Sequence, residues 1–70
     1  MKGYQMKIEA KLTKQDVKTM YANGETPTDI LRAATRSGIE FPDAAWLVNG
    51  TLHLDSEEYE NMIDGYTNQI

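Results

Sequence analysis

Cysteine is absent from these 70 residues, so no disulfide and no thiolate zinc site can form. That removes the usual scaffold of a small secreted domain. Lysine and arginine are absent from residues 37–70, which carry seven acids: Glu40, Asp43, Asp55, Glu57, Glu58, Glu60 and Asp64. All seven cations (Lys2, Lys7, Lys11, Lys14, Lys18, Arg32 and Arg36) lie in residues 1–36, beside four acids. The two halves therefore carry +3 and −7 within a net charge of −4. Such polarity points to one surface suited to an anion and another that is not. Long apolar runs are missing as well. The longest, Ala44, Ala45, Trp46, Leu47 and Val48, is far too short to cross a bilayer. Residues 1–12 lack the apolar stretch and small-residue cleavage site of a signal peptide, so the expectation is a cytoplasmic protein with no membrane contact.

Catalytic and metal chemistry find little material. His53 is the only histidine, and without cysteine a metal would have to rely on carboxylates around one imidazole. Ser37 and Ser56 have no recognisable base and orienting group. The acids at 57, 58 and 60 are explained by helix-start electrostatics rather than by an acid–base pair. No glycine-rich loop could cradle a phosphate. The expectation is a non-enzyme without cofactor or metal.

Seventy residues make a single domain, which buries only about 60% of the surface its unfolded chain exposes. Tyr4, Met6, Ile8, Ala10 and Leu12 alternate with polar residues, which predicts a strand within residues 1–12. Thr13 with Asp16 forms a capping-box variant, and Leu12 and Val17 occupy the staple positions around it. The helix this opens ends at Asn23 and Gly24. Thr26 as N-cap, Pro27 at the first helical position and Asp29 three after the cap open a second helix, stopped by Gly38. Residues 13–38 thus read as a helix-turn-helix or αα-hairpin. Asn49 and Gly50, flanked by Trp46 to one side and Thr51 to the other, predict a wing-like hairpin over residues 39–54. The competing reading makes residues 42–48 a short helix ended by Gly50. Asp55 and Glu58 form a capping box for a C-terminal helix over residues 55–66, with Gly65 weakening it near its end. The expected fold is α+β, a small winged helix-turn-helix-like domain in the order strand-helix-helix-hairpin-helix. Trp46, Phe41 and the tyrosines are expected in its core, with Trp46 under the helices.

On these elements the chain resembles the excisionase-type, MerR-like winged helix-turn-helix proteins of phages and mobile elements. The resemblance rests on Leu12, Thr13, Lys14, Gln15, Asp16 and Val17 at the first helix. It continues through Pro27, Thr28, Asp29, Ile30, Leu31 and Arg32 at the second, and Ser37, Gly38, Ile39, Glu40, Phe41 and Pro42 leading to the wing. Leu47, Val48, Asn49, Gly50 and Thr51 would form the wing's turn, and Asp55, Ser56, Glu57, Glu58 and Tyr59 the start of the closing helix. Two features depart from that pattern: the connection between the first helices is long, and the wing has no basic residues. The resemblance implies binding of double-stranded DNA, with the second helix in the major groove.

Thr28, Arg32, Thr35 and Arg36 fall on one side of that helix and could reach base edges or phosphates. Lys14 and Lys18, four apart on the first helix, could contact the backbone across the groove. The function expected from this is a small DNA-binding regulator or recombination accessory factor, acting as a homo-oligomer on adjacent sites. The alternative is an acidic protein-binding module, a phage-type inhibitor or adaptor, that uses Glu57, Glu58, Glu60 and Asp64 against a basic surface.

Overall fold

Thr13, Thr26 and Asp55 each stand in extended backbone, and each side chain accepts a hydrogen bond from the backbone N–H three residues on. Those caps organise the computed structural model, which describes residues 11–68. The chain forms four helices there: α1 (Lys14–Ala22), α2 (Pro27–Arg36), α3 (Phe41–Leu52) and α4 (Ser56–Thr67). In α1 and α4 the cap is reciprocal. Asp16 accepts from the Thr13 N–H at 3.0 Å, and Glu58 from the Asp55 N–H at 3.0 Å. Each pair satisfies two donors that a helix start leaves unpartnered.

The first two helices end alike. The Glu25 N–H donates to the Met20 carbonyl at 3.1 Å, and the Ile39 N–H to the Ala34 carbonyl at 3.3 Å. Both closures need a left-handed residue just before the donor, and Gly24 and Gly38 supply it at φ 96° and 109°. The Ser37 hydroxyl then donates to Ala34 and accepts from the Leu12 N–H at 3.0 Å, tying the entry to α1 onto the end of α2.

The α+β expectation is overturned: among the described residues there is no strand, and residues 41–52 form α3. The expected strand falls outside the described residues apart from Lys11 and Leu12, which belong to neither helix nor strand. The wing fails for a physical reason. Ala44, Ala45, Val48 and Thr51 recur at helical spacing, and all four are buried. Alanine is the best helix former, and Pro42 and Asp43 suit a first turn. The turn preference of Asn49 and Gly50 loses to that packing, although glycine inside a helix costs about 1 kcal/mol. The competing short helix over residues 42–48 is right in kind and too short. The helix runs through Gly50 and stops at His53, which holds the left-handed conformation at φ 56° and ψ 52°.

The core is Val17, Ile30, Leu31, Ala34, Ala44, Ala45, Val48 and Met62. Ile30, Leu31 and Ala34 come from α2, which packs against all three other helices and is the centre of the domain. Full burial of Ile30 and Leu31 stabilises by roughly 1.5–3 kcal/mol each. Where α2 meets α4, Gly65 is the close approach. A β-carbon there would lie 2.8 Å from Thr28 Oγ1 and 3.1 Å from its Cγ2. Phe41 stacks on Tyr66 with ring centroids 5.1 Å apart, linking the start of α3 to the end of α4.

Candidate functional site

Of the residues expected on a DNA-reading face, some are exposed and others are engaged within the chain. Of α2, only Asp29 and Arg36 are exposed, because neighbours cover the helix on several sides. Thr28 is half-buried against α4, and its hydroxyl donates to the Met62 carbonyl at 3.4 Å. Thr35 is half-buried as well and donates to the Arg32 carbonyl at 2.9 Å. The Arg32 guanidinium donates to the Asp29 carboxylate at 2.9 Å, the only ion pair among the described residues. Asp29 is therefore used by Arg32 and not for a reciprocal cap at Thr26. Arg36 is exposed at the end of α2, where a cation favours the helix dipole. Lys14 and Lys18 are exposed on α1.

The acidic residues behave differently. Glu57, Glu60 and Asp64 lie on the side of α4 opposite buried Met62, all exposed and on one stripe. Glu58 is exposed too, but its carboxylate closes the capping box. No lysine or arginine of the described residues pairs with any of them.

The residue that the sequence reading misplaced is Trp46. Expected under the helices, it is 77% exposed, more than any other large apolar side chain described. The expectation rested on the tendency of large aromatic side chains to fill the core of a domain with little apolar material. In a helix Ala45 and Val48 turn inward and Trp46 turns out. Tyr21, Phe41 and Tyr59 are also partly exposed rather than core. The outward side of α3 carries Asp43, Trp46 and Gly50, spaced three and four apart, with Pro42 beside Asp43 and the capping residue His53 just past the helix end, all exposed. Beside Trp46 lies an open depression of about 220 Å³, lined by Lys14, Trp46, Leu47 and Gly50. Its floor is apolar, and Lys14 contributes the single charge.

No three histidine or carboxylate side chains among the described residues converge on a point where a metal could sit, and no described helix is long and apolar enough to cross a membrane. The chain matches no protein-family model, no curated protein and no solved structure.

Proposed function

We propose that the chain is a cytoplasmic protein-binding module working through its C-terminal half. The observation that carries this reading is the exposure of Trp46, 77%, on a half that has no lysine or arginine. Burying an indole removes roughly 150–250 Å² from water, and tryptophan is enriched among the residues that dominate interface energy. Trp46 serves as the apolar anchor. Glu57, Glu60 and Asp64 form a separate acidic stripe on α4 that favours approach of a basic surface and raises the rate of encounter.

The DNA-binding reading, a regulator or recombination accessory factor using Arg32, Arg36, Lys14 and Lys18, has less to support it. The helix that would enter the groove is the central helix of the core, and one of its two guanidinium groups is already paired. Eleven acids against seven cations also oppose a polyanion.

Two measurements on the full chain separate the readings. Capture of proteins from a cell lysate is compared for the wild type, Trp46→Ala and Glu57→Lys/Glu60→Lys. Fluorescence anisotropy follows binding to labelled duplex DNA at low and high salt. The expected result is a captured protein lost from both variants, with no salt-dependent duplex binding. Duplex binding that weakens with salt and with Arg36→Ala would overturn the proposal.

A further inference from the structure

Two features of α3 have no explanation among the described residues. Gly50 sits in the helix interior without a positive φ, and a β-carbon there would meet nothing within 4 Å. A glycine in that setting weakens the helix and gains no packing in return. Trp46, one turn earlier on the same outward side, leaves its indole in water. One is a gap, the other a protrusion, and they lie side by side.

We propose that this face of α3 is covered by a second copy of the chain, through an antiparallel α3–α3 contact about a two-fold axis level with Val48. The proposal rests on reading the Trp46 face as a protein-contact surface and names the partner that fits it. The fit follows from register. In an antiparallel pair centred on Val48, Trp46 of each copy stands opposite Gly50 of the other. The indole then enters the depression that Gly50 leaves open, which has room for one large side chain. In the same register Asp43 stands opposite His53 of the second copy, and the imidazole N–H donates to the carboxylate. Both residues are exposed. The symmetry doubles each contact, as an isologous interface requires. Lys14 borders the depression, where its ammonium meets the face of the incoming indole. A parallel pair fails on the same residues. Identical positions would face each other, setting Asp43 against Asp43 and leaving an empty gap between two glycines.

The size of the contact sets its strength. Residues 43–53 span roughly 15 Å of helix axis, a patch below the roughly 1,200 Å² of a stable complex. Association is therefore weak, with a dissociation constant on the order of 100 μM.

The test uses the full chain by sedimentation equilibrium and tryptophan emission, from about 5 μM to 1 mM, a range that brackets that dissociation constant. Trp46 is the only tryptophan, so its emission reports the contact directly. The mass is expected to rise from 7.9 kDa toward twice that value as the emission shifts to the blue. Gly50→Leu fills the gap while improving helix propensity, so it stays folded by circular dichroism and associates at least tenfold more weakly. Trp46→Ala does the same. Asp43→Lys weakens association several-fold, and Asp43→Lys/His53→Asp restores it, since a donor and a carboxylate then face each other again with their positions exchanged. Association unchanged by Gly50→Leu, or no restoration in the double variant, overturns the antiparallel register. A chain monomeric throughout overturns self-pairing. If Trp46→Ala nevertheless abolishes capture of a different protein, the interaction-module reading survives that failure, and if it abolishes nothing, both fall.

Discussion

The inward and outward sides of this domain use the same kinds of residue for opposite ends. On α2, Leu31 is wholly buried although the helix is flanked by threonines and arginines. On α3, Trp46 is exposed although the helix is mostly apolar. The same contrast holds for two glycines. Gly65 of α4 lets Thr28 of α2 come close, whereas a β-carbon added at Gly50 of α3 would meet nothing within 4 Å among the described residues. Residue type alone does not tell which side chains hold the fold and which are free to bind. Position on the helix does.

The sharpest test of that contrast pits a smaller side chain against a larger one. Leu31→Ala is expected to cost about 2–5 kcal/mol, because the cavity it leaves is enclosed by neighbours from other helices. A loss of that size would consume most of the stability of a domain this small. Trp46→Ala removes more atoms and is expected to change stability by no more than about 0.5 kcal/mol. Urea titrations followed by circular dichroism at low micromolar concentration measure both, since the tryptophan signal is lost in one variant. Comparable losses from the two would show that the indole is part of the core after all.

Much of the frame is legible along the chain, because caps are local. Thr13, Thr26 and Asp55 announce their helices by side-chain chemistry within three residues, and Gly24 and Gly38 announce the ends by tolerating positive φ. The third helix is harder. Asn49 and Gly50 carry a strong local turn signal, while the buried Ala44, Ala45, Val48 and Thr51 that outvote it depend on contacts with α1 and α2. The misplacement of Trp46 has another source, the general expectation that aromatic side chains fill a small core, and Tyr21, Phe41 and Tyr59 share it. The candidate DNA-contact residues show a different limit of the sequence. Thr28, Arg32, Thr35 and Arg36 share a side of the helix, but no local pattern reveals that α4 covers Thr28 or that Asp29 takes Arg32.

The second test concerns the covered glycine. Gly65→Ala gains up to about 1 kcal/mol of helix propensity, but its β-carbon meets a β-branched side chain at 2.8 Å. Overpacking of this kind costs about 1–3 kcal/mol, so a net loss of about 1 kcal/mol is expected. In a Thr28→Ala background both offending atoms are gone. Gly65→Ala should then be neutral or stabilising, and the coupling between the two sites is the measured quantity. Additive effects would mean that α2 and α4 do not meet at this point.

The smallest effect is the most telling about α3. Gly50→Ala meets no neighbour, and its backbone needs no positive φ, so it should stabilise the folded chain by about 0.5–1 kcal/mol. The gain would appear as a higher urea midpoint at low micromolar concentration, where a contact with a dissociation constant near 100 μM is empty. At high concentration the same methyl group begins to fill the depression beside Trp46, so the advantage over the wild type should shrink as the chain is concentrated. An advantage that shrinks in this way would tie Gly50 to a contact outside the chain. A gain that does not vary with concentration would make Gly50 a plain helix defect and leave Trp46 without a matching gap.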